Sequence, residues 1–476
     1  MFKNFKELKE FVQKENIKMI DFKIITLVGR WNHLTIPVER LNEKVFEEGI
    51  GFDGSSYGYS TIEDSDMCFI PDMTTAFVDP YCKIPTLSMV ANIHTIGNNE
   101  GRFSGDPRFI AEKAEAFMKE TGIADEFVIG PEFEFYIFDH ISYETHNRHQ
   151  EVSIDASEAP WNSNKKEQNF GYKVPFQKGY HMGLPYDLNN DLRSEMCSKL
   201  EQMGMAVKYH HHEVGSAGQL EIEVELEQMN KMADQTMMAK YVIKNEAIAH
   251  GKTACFMPKP LFGEAGSGMH VHMLLRRAGE NIFYDENGYS KMSKDALYFI
   301  GGILKHSKAL LAFTNPSTNS YKRLVPGFEA PVSICFATGN RSSVIRIPGY
   351  VKDPAKRRFE FRSSDATANP YLAYSALLMA GLDGIRNKID PTKEGYGPYD
   401  VNVFDLPEKE RNKIEALPKS LDEALEELKK DHDFLTVEGV FDEHFINNWI
   451  KFKYNKEIMK VLPVPSPVEF ELYHDL

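Results

Sequence analysis

The chain has 476 residues, of which 42% are hydrophobic and 26% charged, and its formal net charge is −15. This length allows two or more domains with a sizeable core, and the composition is typical of an ordinary soluble protein. The negative charge disfavours nucleic acid or an anionic membrane as a partner, because either would repel the protein surface.

The cysteines and the apolar pattern predict a cytoplasmic protein. The five cysteines are widely spaced, odd in number and form no CxxC pair, as expected of core thiols in a reducing compartment. The sequence has no signal-peptide pattern and no apolar run long enough to cross a membrane.

In chain order, the apolar pattern of residues 1–96 predicts one helix followed by short strands, including strands at 22–28 and 86–94. Residues 97–107 are rich in glycine and asparagine and predict a linker. We therefore expect an N-terminal domain at 1–105 and a second domain at 106–476.

The second domain mixes both kinds of element. Strands are predicted at 127–138, 219–226, 269–275, 343–348 and 358–362. Helices are predicted at 108–120, 191–203, 231–250, 294–312, 367–385 and 420–431. Two polar stretches, roughly 140–180 and 388–412, are predicted to be long loops, and such loops are usually lids or assembly contacts.

Four of these strands carry a polar face, because alternate side chains of a strand point the same way. The faces comprise Glu132 and Glu134; Glu221, Glu223 and Glu225; His270 and His272; and Arg358, Glu360 and Arg362. Taken singly, each is most simply a half-exposed strand whose polar face meets water. Taken together, the neighbouring carboxylates repel one another and need compensation.

Divalent cations would supply that compensation. A ligand set that is mostly carboxylate, with Glu213 added after the histidine run at 210–212, suits Mg²⁺ or Mn²⁺ better than zinc or copper. Arg323, Arg341 and Arg346 are candidate clamps for phosphate or carboxylate oxygens. Bound metal ions together with arginines are typical of phosphoryl-transfer sites. The pattern therefore predicts an enzyme that uses a metal and a nucleotide.

A phosphate-binding P-loop is not present. Gly251-Lys252-Thr253 resembles the end of one, but the first glycine of that motif would fall on Glu246. The nucleotide phosphates must therefore be held in another way.

A series of ordered motifs resembles the type I glutamine synthetases over nearly the whole chain. The motifs lie at 52–56, 131–134, 211–214, 217–219, 251–260, 266–270, 323–331, 341–343, 358–362 and 368–372. The resemblance implies an α+β protein with a small N-terminal β-grasp domain. It also implies a large C-terminal catalytic domain, in which an antiparallel sheet and helices form a half-barrel active site.

The resemblance further implies a homododecamer of two stacked hexameric rings. Each active site would lie between one subunit's catalytic domain and its neighbour's N-terminal domain. The tail at 467–473 resembles the segment that inserts into the opposite ring, although a frayed terminus is the simpler interpretation.

The resemblance assigns roles to individual residues, including the ligands of two to three Mg²⁺ or Mn²⁺ ions. The first metal would be held by Glu134, Glu213 and Glu221, and the second by Glu132, His270 and Glu360. ATP would contact His272, Arg341, Arg346 and Arg358. The glutamate substrate would contact Gly266, Arg323 and Arg362, and ammonium would contact Asp53, Ser56, Tyr180 and Glu213. Asp53, Glu329, Arg341 and Arg346 would be catalytic, with Glu329 on a flap that closes over the reaction.

The implied reaction is the ATP-dependent ligation of ammonium to the γ-carboxylate of L-glutamate. ATP would first phosphorylate the carboxylate, because oxide is too poor a leaving group. Asp53 would then take a proton from ammonium, and the Glu329 flap would exclude water from the acyl phosphate.

The chain also departs from the family pattern. Phe404 stands where the adenylylated subgroup has tyrosine, so we expect no nucleotidylation of this loop, although residues 159–163 resemble an insertion of that subgroup. Thr61 lies near the place of an arginine linked to feedback control, which puts that control in doubt. Substitutions on the nucleotide side leave the adenine contacts open: Lys208, Leu226, Ala265 and Leu274.

Two alternatives remain at this point. A related ligase would join glutamate to an organic amine, but Asp53 and Tyr180 match the small cation site and favour ammonium. A non-enzymatic relative would not need the six metal ligands, and all six are present.

Overall fold

The computed structural model describes residues 2–59, 65–97, 100–164, 169–325 and 331–476. Its N-terminal part is a helix packed on a mixed sheet. Helix α1 (Phe5–Lys14) begins after Asn4, whose side chain accepts a hydrogen bond from the Glu7 backbone N–H, and it buries Leu8 and Val12. Helix α2 (Lys44–Glu47) is a single turn.

The N-terminal sheet has seven strands within the described residues. They are β1 (Met19–Ile25), β2 (Trp31–Pro37), β3 (Ile50–Asp53), β4 (Asp66–Pro71), β5 (Phe77–Val78), β6 (Thr86–Thr95) and β7 (Gly101–Arg102). The order is β2-β1-β6-β4-β3, and β5 and β7 also pair with β6. Strands β1 and β6 run parallel while the other pairs are antiparallel, so a helix covers a mixed sheet in the manner of a β-grasp domain.

A larger sheet of ten strands dominates the rest of the described chain. Its strands are β8 (Glu126–Phe138), β11 (Val207–His212), β12 (Gln219–Val224), β13 (Glu227–Gln228), β14 (Thr253–Cys255), β15 (Val271–Arg277), β16 (Glu280–Asn281), β17 (Ser333–Thr338), β18 (Ser343–Ile347) and β19 (Phe359–Phe361). Seven of them follow the order β11-β12-β8-β15-β19-β18-β17. The sheet is antiparallel as predicted, except that β17 and β18 run parallel. It curls into a half-barrel whose concave side forms the site described below.

Helices α3 (Pro107–Glu120), α4 (Asn190–Gln202), α5 (Met229–Ala249) and α6 (Lys294–Lys305) contact this sheet. The other helices of this part are α7 (Ser307–Thr314), α8 (Ser320–Arg323), α9 (Pro370–Asn387), α10 (Glu408–Arg411), α11 (Leu421–Lys430), α12 (Asp433–Thr436), α13 (Glu443–Lys453), α14 (Met459–Val461) and α15 (Pro467–Tyr473). Helix α9 is almost entirely buried and forms the centre of the core. No helix among the described residues is long and apolar enough to cross a membrane.

Two predicted elements differ from the structure. The single helix expected at 294–312 is divided at His306 into α6 and α7, and the His306 imidazole bridges Asp383 and Asp431 at 2.9 and 2.8 Å. The loop expected at roughly 140–180 begins with a hairpin of β9 (His140–His146) and β10 (His149–Asp155). The sequence does alternate here, since Ile141 and Tyr143 and then Val152 and Ile154 stand between polar residues, but most of the hairpin side chains are exposed and the stretch is polar as a whole.

A buried arginine joins the two parts of the molecule. Arg108 at the start of α3 donates to Asp72 and Asn92 of the N-terminal part, at 2.8 and 2.6 Å. It also forms two hydrogen bonds with Asp234 on α5. Because the arginine is buried, this network fixes the N-terminal sheet against the helices of the larger part.

Candidate active site

The four polar strands predicted from the sequence are neighbours in the sheet, in the order β12-β8-β15-β19. Glu221 and Glu223 pair with Glu134 and Glu132 across the β12–β8 ladder. His272 pairs with Glu360 across the β15–β19 ladder. Their polar faces therefore converge on one cleft of about 360 Å³.

These strands are not half-exposed. Every residue of β12 and of β19 is buried, including Glu221, Glu223 and Glu360. The simple interpretation of each strand as a solvated surface is therefore wrong, because the polar faces meet one another inside the half-barrel instead of meeting water.

A first group of metal-type donors lies at one end of the cleft. His211, Glu213 and Glu221 each place a donor atom within 4.8 Å of the others. Burial, followed by the nearby Glu134 and Glu221 carboxylates, raises the pKa of Glu213 well above its usual range. Burial, followed by Glu132 and Glu134, does the same to the pKa of Glu221. The carboxylates at this end of the cleft therefore repel one another and favour a proton or a cation between them.

A second group lies beside it and consists of the three predicted ligands Glu132, His270 and Glu360, again within 4.8 Å. His270 Nδ1 is 2.8 Å from Glu132 Oε2 and 3.6 Å from Glu360 Oε1. Burial opposes ionisation of Glu132, but hydrogen bonds from His270 and His272 outweigh it and hold the pKa of Glu132 well below its usual range. Glu134 lies between the two groups, with Oε1 3.7 Å from His270 Nδ1.

These residues fit hard divalent cations. The donors are mainly carboxylate oxygens, with imidazole in the minority, which suits Mg²⁺ or Mn²⁺. Several buried carboxylates this close together are stable only if protons or cations neutralise them. The close grouping of Glu213 and Glu221, whose carboxyl pKa values burial and neighbouring carboxylates raise, favours a cation at the first group.

Guanidinium groups surround the carboxylates. Arg346 Nη1 lies 2.7 Å from Glu360 Oε2, and Arg362 donates to Glu360 Oε1. Arg323 is buried and donates to the Ser363 carbonyl at 2.8 Å. The Nε atoms of Arg346 and Arg362 are buried without a hydrogen-bond partner in the described part of the chain. Such donors are suited to an anionic ligand.

Glycine is required where the chain passes Arg323. A Cβ atom on Gly266 would lie 2.7 Å from both the Arg323 Cγ and the Pro258 carbonyl oxygen, and one on Gly268 would lie 2.5 Å from the Arg323 guanidinium. The backbone at Gly266 thus approaches this buried cation as no residue with a side chain could.

The cleft collects twelve of the predicted site residues. They are Glu132, Glu134, Tyr180, Glu213, Glu221, Gly266, His270, Arg323, Arg341, Arg346, Glu360 and Arg362. His272 does not line the cleft and lies behind Glu132, with Nε2 2.8 Å from Glu132 Oε1. Arg358 is also buried outside the lining, and its Nη1 donates to the Lys356 carbonyl at 3.3 Å.

The N-terminal residues that are predicted to bind ammonium lie outside this cleft. Asp53 and Ser56 lie at the end of β3 and do not line the cleft formed by the described residues of one chain. The Ser55 and Ser56 hydroxyls hold the pKa of the exposed Asp53 carboxyl below its usual value. Glu329 and Thr61 lie outside the described residues.

The cleft also contains residues to which we gave no role from the sequence. They are Gln177, Tyr209, His211, Val214, Gln219, Ala265 and Tyr350. His211 and Gln219 stand within recognised motifs, and Ala265 had been noted only as a departure from the family pattern. Tyr350 follows Arg346 by four residues, and its ring centre lies 5.8 Å from the Arg346 guanidinium carbon.

Comparison with known proteins agrees with this architecture. Residues 16–96 match the family model described as the glutamine synthetase beta-Grasp domain, and residues 104–473 match that of its catalytic domain. Glutamine synthetase of Frankia alni is 46% identical over 479 residues, which covers 100% of both chains. That of Haemophilus influenzae is 47% identical over 468 residues, which covers 98% of both.

Solved structures lead to the same family. Plasmodium falciparum glutamine synthetase has a TM-score of 0.88 and 31% identity, covering 99% of both chains. A GmaS–ADP complex has a TM-score of 0.81 and 25% identity, covering 98% of this chain and 99% of the other. From its sequence and its structure, this chain belongs to the glutamine synthetase family.

Proposed function

We propose that the chain is a glutamate–ammonia ligase, which joins ammonium to the γ-carboxylate of L-glutamate and converts ATP to ADP and phosphate. The observation that carries the proposal is the convergence of two metal-type ligand groups and several guanidiniums in one cleft. The product, L-glutamine, would serve nitrogen assimilation in the cytoplasm. The five free cysteines support a reducing compartment.

The second ligand group, Glu132, His270 and Glu360, would hold one divalent cation. Glu213 and Glu221, with Glu134, would hold another, and His211 offers an additional donor there. Such cations, when bound, neutralise charge on phosphate and carboxylate oxygens. The remaining contributions come from the side chains of the chain itself.

In the first half-reaction, a γ-carboxylate oxygen of glutamate attacks the terminal phosphorus of ATP, and the bond from phosphorus to the ADP oxygen breaks. Arg323 and Arg362, with the backbone at Gly266, would hold the substrate's α-carboxylate. Arg341 and Arg346 would donate to the phosphoryl oxygens as their charge develops. His272 and Arg358 would contact ATP from beside the lining, where His272 lies against Glu132 and Arg358 donates to the Lys356 carbonyl.

In the second half-reaction, the nitrogen attacks the γ-carbonyl carbon, and phosphate leaves. Tyr180 and Glu213 would form one side of the ammonium site, with Asp53 and Ser56 on the other. Asp53 suits proton removal, because its seryl hydrogen bonds favour the ionised carboxylate. Glu329 would exclude water and take a proton from the tetrahedral adduct.

The position of Asp53 supports an active site shared between subunits. Asp53 and Ser56 do not line the cleft of their own chain within the described residues, so a neighbour's N-terminal domain (1–105) would supply them to the catalytic domain (106–476). We propose a homododecamer of two hexameric rings. The exposed apolar side chains of α15, including Phe470 and Leu472, support insertion of the tail into a second ring.

Subunit mixing tests this arrangement. Asp53→Ala and Glu360→Gln subunits, each inactive alone, are dissociated, mixed in equal amounts and reassembled. Shared sites would restore about a quarter of the wild-type rate, because each site needs one intact contribution from each of two neighbours. Sites formed within single chains would restore none.

Phosphate release tests the activity itself. We expect release from ATP that requires both glutamate and ammonium, with glutamine formed in equal amount. A panel of amines, including ethanolamine and a polyamine, provides the comparison. Release only with an organic amine would replace this proposal by the amine-ligase alternative.

A further inference from the structure

A third group of metal-type side chains lies behind the second ligand group. Glu132, Glu223 and His272 place donor atoms within 4.8 Å of one another. His272 Nε2 is 2.8 Å from Glu132 Oε1 and 3.9 Å from Glu223 Oε1. His272 and Glu223 are each 1% exposed, so the group has the burial and the donor types of a further cation site.

A lysine already contributes a cation to this group. Lys208 on β11 donates its ammonium group to Glu223 Oε1, which is the same oxygen that faces His272. The Lys208 ammonium also lies 4.8 Å from the centre of the Tyr209 ring. Because it is a compact point charge on a flexible stem, an ammonium group can occupy a position close to that of a small metal ion.

The backbone directs Lys208 to this position. The pairing of β11 with β12 shifts register between Val207 and Tyr209, which are opposite Val224 and Glu223 respectively. Lys208 is the extra residue at this irregularity and has no partner across the ladder. Such irregularities redirect a side chain, which here reaches a carboxylate on the adjacent strand.

Charge balance indicates that Lys208 alone can neutralise the third group. Glu132 is shared between the second and third groups, since its Oε2 faces His270 and its Oε1 faces His272. When Glu132 is counted as a ligand of the second group, Glu223 is the one carboxylate left in the third. One ammonium neutralises one carboxylate, and an entering metal would have to displace it from a buried ion pair.

We propose that Lys208 is the resident cation of the Glu132–Glu223–His272 group, so that each subunit binds two divalent cations and not three. This inference rests on the two ligand groups of the proposed function and determines how many ions the cleft contains. Lys208 is accordingly a positioning residue, which keeps Glu223 and His272 arranged around Glu132.

The test is the number of Mn²⁺ ions bound per subunit of the full-length protein after chelator treatment. It is measured by equilibrium dialysis, with free Mn²⁺ determined by its EPR signal and no nucleotide present. We expect two ions for the wild type, three for Lys208→Met, and two for both Lys208→Arg and Lys208→Met/Glu223→Gln. Lys231→Met is the matched control, since it removes an exposed lysine–glutamate pair with Glu227 and leaves the count at two.

The measurement is repeated in a His250→Gln background, because Glu195, Glu246 and His250 form a partly exposed donor group on the surface. Three ions on the wild type in that background would overturn the role of Lys208 while leaving the proposed function intact. Two ions on a folded Lys208→Met protein would do the same, and Lys208→Gln replaces that variant if it fails to fold. Fewer than two ions on the wild type would overturn both the inference and the proposed ligand groups.

Discussion

Replacing Glu360 with glutamine separates the chemical role of the cleft from its structural role. The Glu360 side chain is 1% exposed, and its carboxylate accepts hydrogen bonds from Arg346 at 2.7 Å and from Arg362. Glutamine keeps the volume and one acceptor oxygen but removes the negative charge. The substitution therefore weakens a cation ligand and leaves the buried Arg362 and the partly buried Arg346 guanidiniums without their counter-ion.

The cost to folding stability and the cost to the catalytic rate differ in size. Breaking a buried ion pair costs about 3–5 kcal/mol, and the retained acceptor oxygen places Glu360→Gln near the lower end. The loss of one preorganised charge at a reacting centre costs on the order of 10²–10³ in kcat. We therefore expect a protein that still folds and assembles but has lost at least about 99% of its activity.

The assay measures phosphate release at saturating Mg²⁺, ATP, glutamate and ammonium, alongside size-exclusion chromatography and a urea-unfolding curve. Glu225→Gln is the matched control, because Glu225 follows strand β12 and is exposed, so both rate and assembly should remain unchanged. A Glu360→Gln rate within a few-fold of the wild type would refute the ligand role. Loss of activity only in proportion to loss of folded protein would make the residue structural.

Three further predictions follow from individual residues. Phe404 has no hydroxyl, so mass spectrometry of the peptide spanning 388–412 should detect no covalent AMP after incubation with a nucleotidylating enzyme, and an AMP adduct would contradict this. Phe359 is fully buried and packs against Phe283 and Phe299, so Phe359→Ala should lower the free energy of unfolding by about 3–5 kcal/mol while the folded fraction still binds Mn²⁺. An unchanged urea midpoint would contradict that packing. Burial disfavours the charged His306 imidazole, but Asp383 and Asp431 outweigh it and raise its pKa from 6.5. Its stabilising contribution is therefore complete below pH 6.5 and is lost as the pH rises through the folded-state pKa. The stability difference between wild type and His306→Gln should accordingly shrink between pH 6.5 and higher pH, and a constant difference would refute the charged pair.

The ligand residues were predictable because each stands in a short motif on or directly beside a strand. Glu132, His270 and Glu360 come from three strands that are distant in sequence, yet they form one group as expected. The sequence could not show that these faces are buried. Burial depends on the curvature of the sheet, which no single strand encodes.

Features that depend on long-range placement could not be predicted. The pairing of Lys208 with Glu223 depends on a register shift between two strands. The carboxylates that His306 bridges, at the point where the helix divides, are 77 and 125 residues further along the chain. The hairpin at 140–155, by contrast, carries a weak local signal, because Ile141 and Tyr143 and then Val152 and Ile154 alternate with polar residues.

The transfer of a labelled oxygen tests the proposed reaction most directly. Glutamate carrying ¹⁸O in both γ-carboxylate positions is incubated with the enzyme, ATP and ammonium, and the released phosphate is analysed by mass spectrometry. If the γ-carboxylate attacks the terminal phosphorus, one ¹⁸O atom leaves with each phosphate and the other remains in the glutamine amide. Phosphate free of ¹⁸O, released while glutamine forms, would contradict the acyl phosphate and with it the account of the cleft.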